Sequence, residues 1–141
     1  MKPWPGDLDV PVESEGSVVM VGHSDCETSR LMLRMLDSLS RRRTRPLAVT
    51  AVLQDEPDAA RALTEELGLT LPLRLDGPPY PLTTPLGLTG VPVTFVLGPD
   101  RTVREEIEAF RRADVERLAA LLGVPPPVFA PGETVPALMP G

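Results

Sequence analysis

The sequence predicts an α/β fold in three layers, with a mixed central sheet and helices on both of its faces. Strands and helices alternate over the first part of the chain, and two further strands follow each other across a four-residue turn. Alternation of this kind builds parallel strand pairs, whereas a short turn builds an antiparallel hairpin. The sheet is therefore expected to be mixed. A length of 141 residues suits one domain with a single core.

The first strand and the first helix are predicted to follow an irregular arm, residues 1–16, which carries three prolines. Residues 17–21 form a short apolar run, which is typical of a strand covered on both faces. In residues 30–40, apolar side chains recur at helical spacing, which predicts a helix with one buried stripe. That stripe contains Leu31, Met35 and Leu39.

A second strand and a second helix follow directly. Residues 47–53 are rich in apolar and β-branched side chains, and the acidic residues before Pro57 indicate a helix start. This helix is expected to end at Gly68. A weaker strand is predicted at residues 73–75. Residues 77–90 are rich in proline and glycine and are expected to hold at most a turn or two of helix.

The clearest strand lies at residues 93–97, and a turn leads from it into an alternating segment at residues 102–110. One face of that segment is expected to hold Val103, Glu105, Ile107 and Ala109. A last helix ends at Gly123, which places the main domain at residues 17–123. Residues 124–141 form a Pro-rich tail with two open states: a disordered arm, or an extended segment that docks on the sheet or on a neighbouring subunit in a homodimer.

The charge balance excludes some classes of partner. The chain has 14 basic and 20 acidic residues, a formal net charge of −6 and a sequence pI of about 4.8. It therefore repels a phosphate backbone, and no nucleic-acid partner is expected. The basic cluster Arg41-Arg42-Arg43 has two interpretations: a patch for nucleic acid or anionic lipid, or cations favoured by the dipole at a helix C-terminus, which is the more frequent case.

No membrane partner and a cytoplasmic location are expected. Residues 1–6 contain no apolar stretch for a signal peptide, and no other segment approaches a membrane span. Cys26 is the only cysteine in the sequence, which also argues against a disulfide-stapled secreted domain.

Cys26 lies between the first strand and the first helix, where a thiol is placed for reactivity. Unpaired backbone N–H groups and the positive end of the helix dipole stabilise a thiolate at such a position. Asp25 and Glu27 oppose a second negative charge beside them. Arg30, four residues after the thiol, is expected to offset part of this repulsion if it folds back.

Two segments resemble the thioredoxin-like superfamily, and within it the TlpA-type reductases and neighbouring redoxins. They are residues 18–30 and residues 90–100, where Gly-Val-Pro precedes the apolar strand and Pro-Asp follows it. The resemblance covers residues 17–123. It implies a thioredoxin-like three-layer α/β/α fold and thiol-disulfide chemistry.

The same resemblance assigns roles to the segment Gly90-Val91-Pro92. It implies a cis peptide bond before Pro92, a position for this proline opposite Cys26, and pairing of the preceding backbone with the extended chain of a substrate. The alternative is that Pro92 merely begins a strand, a position that proline tolerates.

Ser29 occupies the position at which the family carries its second, resolving cysteine. A hydroxyl donates to a thiolate but does not attack a mixed disulfide, so the intramolecular release step is absent. The prediction is a monothiol Cys-x-x-Ser site, with Cys26 as the nucleophile and Ser29 as a thiolate stabiliser. Four explanations stay open: an external thiol such as glutathione resolves the adduct, the thiol is a redox sensor or peroxidase-like group, catalysis has been lost, or the serine is an engineered replacement.

His23, the only histidine, is interpreted either as a general base or, more frequently for such a residue, as a loop side chain with a local hydrogen bond. A peroxiredoxin would carry threonine and proline at the positions of His23 and Val19, so that peroxidase motif is missing. One cysteine and one histidine supply too few ligands for zinc, and no metal or other cofactor is expected.

The leading hypothesis is a thioredoxin-fold thiol-disulfide oxidoreductase that acts through Cys26 and is resolved by an external thiol. Its expected partners are a thiol or disulfide protein, or a low-molecular-weight thiol such as glutathione. One rival is a non-catalytic thioredoxin-fold module that binds a peptide or protein. The other is a thiol peroxidase-like or redox-sensing protein.

Overall fold

The computed structural model describes residues 2–141, in which seven strands and three α-helices are present. The strands are β1 (Gly16–Gly22), β2 (Leu47–Leu53), β3 (Leu73–Leu75), β4 (Val93–Leu97), β5 (Val103–Glu108), β6 (Phe110–Arg111) and β7 (Leu138–Met139). The helices are α1 (Glu27–Arg42), α2 (Pro57–Leu67) and α3 (Arg112–Leu121), and a short 3₁₀ helix lies at Thr84–Leu86. None of the helices within residues 2–141 combines the length and the apolar character that crossing a bilayer requires.

The main sheet formed by residues 2–141 has five strands in the order β3-β2-β1-β4-β5. β1 runs parallel to β2, and β2 to β3, whereas β4 runs antiparallel to both β1 and β5. The predicted mixed sheet is confirmed. Every residue of β1, β2 and β4 is buried, as their continuous apolar sequences predict. The loop that follows β1 is therefore attached to the centre of the sheet.

α1, α2 and α3 all contribute to one apolar core on one face of the main sheet. The connections from β1 to β2 and from β2 to β3 advance in the same direction across the sheet, and right-handed crossovers of this kind place both helices on the same side. The opposite face is covered by the N-terminal arm and by apolar residues between 82 and 91. The sequence predicted helices on both faces. On the second face, the cover consists of the 3₁₀ helix and irregular chain.

The N-terminal arm is part of the second core. Trp4 is 7% exposed, and its ring meets that of Phe95 edge-on with the centroids 5.1 Å apart. The indole Nε1–H of Trp4 donates to the carbonyl oxygen of Leu8 at 2.6 Å, and Leu8 and Val10 are also buried. The arm is irregular, as predicted, and it covers the second face of the main sheet in place of a helix.

The segment predicted as one strand at residues 102–110 is divided in two. β5 ends at Glu108, Ala109 has a φ of 59°, and the chain then enters β6. The alternation predicted to run through Ala109 stops there, because a left-handed backbone conformation turns the strand. β6 pairs antiparallel with β7 in a separate two-stranded sheet, so this break brings the tail onto the domain.

The tail packs against the domain along its length. Val124 and Val135 are buried in the main core, and Val128 and Phe129 pack against it. The docked state of the tail is the one that the structure shows. Docking on a neighbouring subunit stays a prediction.

The basic cluster at the end of α1 bonds within the chain. The partners are the Asp37 carboxylate for Arg41 at 2.6 Å, the Val128 carbonyl for Arg42 at 2.7 Å and the Glu13 carboxylate for Arg43 at 3.1 Å. Each of the three guanidinium groups therefore has an acceptor within the chain.

Candidate functional site

Cys26 is the N-cap residue of α1, with an extended backbone (φ −101°, ψ 116°). Its Sγ accepts a hydrogen bond from the backbone N–H of Ser29 at 3.4 Å. Across the cleft, the same sulfur lies 3.7 Å from the carbonyl oxygen of Val91. The side chain is half-buried. The sulfur therefore has a donor that suits a thiolate and an acceptor that suits a thiol.

Ser29 contacts the thiol in a different way from the one predicted. Its backbone N–H makes the bond to Sγ, whereas its fully buried Oγ accepts from the backbone N–H of His23 at 3.2 Å. The hydroxyl therefore supports the loop before Cys26. Gly22 lies against both this hydroxyl and Met20, because a Cβ at that position would lie 3.0 Å from Ser29 Oγ and 2.3 Å from Met20 Cε.

The segment Gly90-Val91-Pro92 forms the opposite wall of the cleft. β4 begins directly after Pro92, and its first residue, Val93, pairs with Val21 near the end of β1. This register brings the loop before β4 beside the loop after β1. The Val91–Pro92 peptide bond is cis. Gly90, Val91 and Pro92 also line a cavity of about 220 Å³.

The charged neighbours of Cys26 point away from the sulfur or into solvent. The Asp25 side chain is 91% exposed and Glu27 is exposed, so water screens their repulsion. Arg30 does not fold back onto the thiol: it pairs with Glu66 at 2.6 Å and donates to the Ser24 carbonyl at 3.4 Å. The hydrogen bond with Glu66 raises the pKa of Arg30 above its usual value.

His23 makes the local hydrogen bond that was one of its two predicted roles. Its Nδ1 accepts from the backbone N–H of Asp25 at 3.0 Å. A ring nitrogen that accepts in this way carries no proton, which leaves the proton on Nε2. That nitrogen faces the Asp55 carboxylate at 3.7 Å.

Asp55 is a site residue that sequence reasoning missed. Its side chain is 2% exposed, and it accepts hydrogen bonds from the Ser24 backbone N–H at 3.1 Å and the Ser24 hydroxyl at 2.5 Å. Asp55 lies just beyond the end of β2 at Leu53, and β2 is the parallel neighbour of β1. The signal was present, because polar residues just beyond neighbouring parallel strands meet at the same edge of a sheet.

Thr28 was also missed as a contact residue. It is buried in the first turn of α1, and its Oγ1 donates to the carbonyl oxygen of Pro140 at 2.5 Å. Gly141 lies against the opposite wall, because a Cβ built there would come within 2.3 Å of the Val91 carbonyl oxygen. The end of the tail thus lies between the two walls of the cleft.

The arrangement supplies one half-buried thiol, a backbone donor to it and two walls between which the end of the tail lies. Within residues 2–141, no group of three or more His, Cys, Asp or Glu side chains is placed to hold a metal ion. A cysteine thiol is able, once deprotonated, to attack an electrophilic sulfur.

No family model matches this chain, and no curated protein matches its sequence. Solved structures do match. A thiol-disulfide isomerase from Corynebacterium glutamicum has a TM-score of 0.69 at 14% identity, over 86% of this chain and 90% of that one. A thioredoxin-like protein from Parabacteroides distasonis has a TM-score of 0.67 at 14% identity, over 87% and 98%. A thiol:disulfide interchange protein of the thioredoxin family from Chlorobium tepidum has a TM-score of 0.63 at 17% identity, over 86% and 97%.

The fold is thioredoxin-like. The predicted fold class is confirmed by these superpositions and by the mixed sheet. At such low identities the likeness concerns the fold. In this thioredoxin-like fold, the loop after β1 and the loop before β4 form the cleft that contains Cys26.

Proposed function

We propose that this protein is a thiol-disulfide oxidoreductase that acts through Cys26 as its single nucleophile. One observation carries the proposal: the half-buried sulfur accepts from the Ser29 N–H at the start of α1 and faces the Val91 carbonyl before Pro92. The fold is shared with a thiol-disulfide isomerase and with a thiol:disulfide interchange protein, which supports the same class of reaction.

The first step is formation of a mixed disulfide. The N–H of Ser29 and the positive end of the α1 dipole stabilise the Cys26 thiolate. The thiolate attacks one sulfur of a substrate disulfide, the S–S bond of the substrate breaks, and its other sulfur leaves as a thiolate that takes up a proton. Cys26 is then joined to the remaining part of the substrate.

Release needs a second thiol from outside the chain, because position 29 is serine. The thiolate of an external thiol, such as glutathione, attacks the substrate sulfur of the mixed disulfide. A new disulfide forms between the two external groups, and Cys26 leaves as a thiolate. In the sum of the two steps, the external thiol replaces the leaving sulfur in the disulfide, the number of disulfide bonds is unchanged and Cys26 is regenerated. A second external thiol, attacking the new disulfide, completes the reduction of the substrate.

Oxidised glutathione tests this proposal. The expected result is one glutathionyl group on Cys26 by intact mass, which reduced glutathione removes, while Cys26→Ala shows no adduct. In a chain that ends at Ala137, whose cleft holds no tail segment, the folded form should react faster than the same chain unfolded in urea at the same pH, because only the folded form has the α1 N-terminus. A thiol that alkylates readily but gives no adduct would contradict the proposal.

A second candidate is a non-catalytic module that binds an extended peptide. The contact between Thr28 and Pro140 favours it, because the cleft holds an extended segment there without using the sulfur. Affinity capture with Cys26→Ala separates the candidates. A binding module keeps its partner after this change, whereas a mixed disulfide with the oxidoreductase is lost.

A further inference from the structure

The last residues described in the tail lie in the cleft of Cys26. We propose that residues 137–141 are a built-in occupant of this cleft and limit access to the thiol. The inference concerns regulation of the same site. It rests on the geometry of the tail, and only its effect on disulfide exchange rests on the proposed function.

Backbone pairing brings the tail to the cleft. The N–H of Arg112 donates to the carbonyl oxygen of Ala137 at 3.0 Å, and the Arg112 guanidinium donates to the carbonyl of Val135. β7 then pairs with β6 in register, with Met139 opposite Phe110. Phe110 is fully buried, so the strand to which the tail adds is fixed in the domain.

Thr28 holds the tail on the α1 side. Its hydroxyl donates to the Pro140 carbonyl at 2.5 Å, and Thr28 lies two residues after Cys26 in the first turn of the helix. A carbonyl bound at this point belongs to a chain that passes beside the thiol.

Gly141 closes the other side. A methyl group at this position would come within 2.3 Å of the Val91 oxygen and 3.6 Å of Pro92 Cδ, so the glycine lies in direct contact with this wall. The Val91 oxygen is also the atom that the Cys26 sulfur faces at 3.7 Å. The tail and the thiol therefore meet at one carbonyl group, where a substrate chain is proposed to bind.

The sequence of the segment suits a reversible occupant. Residues 136–141 read Pro-Ala-Leu-Met-Pro-Gly and carry no charged side chain, and Pro140 favours an extended conformation at Met139. Leu138 is 53% exposed, and Met139 is the apolar side chain of the segment that packs against the core, so the segment has few buried side-chain contacts. Segments with few buried side-chain contacts open at low free-energy cost.

Alkylation of Cys26 by two reagents tests the proposal without reference to disulfide chemistry. Iodoacetamide is small, and a maleimide linked to polyethylene glycol is bulky. In a chain that ends at Ala137, the rate with the bulky reagent should rise about fivefold or more, because reaction no longer waits for the tail to open. The rate with iodoacetamide should rise less. An altered thiol ionisation would raise both rates equally, so the ratio of the two rates is the measure of access.

Thr28→Val gives an independent test that keeps the full chain. It removes the donor to Pro140 with little change in volume, and it should raise the same ratio of rates. Thr64→Val is the matched control, because Thr64 Oγ1 donates to Ala60 inside α2 and away from the cleft. The control should leave the ratio unchanged.

Equal ratios in the full chain, the shortened chain and Thr28→Val would overturn the proposal. Glutathione adduct formation, measured on the same samples, separates this failure from failure of the proposed function. A shortened chain that gains access to the bulky reagent but forms no adduct supports the tail as occupant and contradicts the oxidoreductase.

Discussion

The sulfur of Cys26 is positioned by backbone atoms, and side chains act on it indirectly. Its placement before a helix was predictable from the end of an apolar run and the start of a helical period. From the sequence, the contact with the sulfur was assigned to the Ser29 hydroxyl. The structure gives it to the Ser29 N–H, because an N-cap side chain accepts from the amide three residues on, whatever the side chain there. The hydroxyl of Ser29 was thereby free to bond to the loop.

Replacing Ser29 by cysteine should convert the site into one that resolves its own adduct. The backbone N of residue 29 lies 3.4 Å from the Cys26 sulfur, so a thiol there is close enough for intramolecular attack. In Ser29→Cys, the glutathione adduct on Cys26 should decay at least about tenfold faster without added thiol than in the natural sequence. Intact mass against time measures the decay and the disulfide that replaces the adduct.

Ser40→Cys is the control for an added thiol. It lies on the same helix, about 21 Å along α1 from Cys26 at 1.5 Å per residue, which is too far for a disulfide. Its adduct on Cys26 should persist as in the natural sequence. Persistence in Ser29→Cys as well would show that position 29 is not placed for resolution.

At the level of elements, periodicity predicted which segments are helices and strands but left their ends uncertain. α1 begins at Glu27, before the apolar period starts, because its first turn buries the polar residues Thr28 and Ser29 against the cleft. The break between β5 and β6 had no signature, since alanine rarely has a positive φ and Ala109 does so here.

The junction between β1 and α1 depends on a neighbouring strand. Asp55 was interpreted as part of a helix start, because the sequence after it reads Glu-Pro. Its actual contact is with Ser24, which is 31 residues away in the sequence. The parallel pairing of β1 with β2 brings the two together, so the pair follows from the predicted neighbours in the sheet and not from the residues beside Asp55.

Asp55→Ala should loosen this junction. The substitution leaves the partly buried Ser24 N–H and hydroxyl without their acceptor, and the free energy of unfolding should fall by about 1–3 kcal/mol. Urea denaturation followed by circular dichroism measures the change. Asp7→Ala, at an exposed position of the arm, should alter stability by less than about 0.5 kcal/mol. A loss no larger than that of the control would remove Asp55 from its positioning role.

For the whole molecule, the sequence predicted the mixed sheet better than the layers around it. The arm and the tail looked like irregular ends because they lack periodicity. Both carry buried apolar residues, such as Leu8 and Val135, and their partners lie far away in the sequence. The homodimer through the tail and the cytoplasmic location stay predictions.

The arm should contribute to the free energy of unfolding through its buried side chains. Trp4→Ala removes a large buried ring from the contact with Phe95, and the free energy of unfolding should fall by about 3–5 kcal/mol. Chemical denaturation measures the loss. Trp4→Phe keeps an aromatic ring there and should cost clearly less. A Trp4→Ala chain that unfolds at the natural midpoint would show that the arm covers the sheet without stabilising it.

The carbonyl group of Val91 couples the state of the Cys26 thiol to the position of the tail. The Cys26 sulfur faces it and Gly141 lies against it. With the tail as occupant, an adduct on Cys26 competes with the tail for one place, and thermodynamic linkage requires each to weaken the other by the same factor. Formation of an adduct on the thiol would then displace a short segment without charged side chains from the cleft into solvent. The redox state of the half-buried Cys26 sulfur would then determine whether other molecules can bind the tail segment.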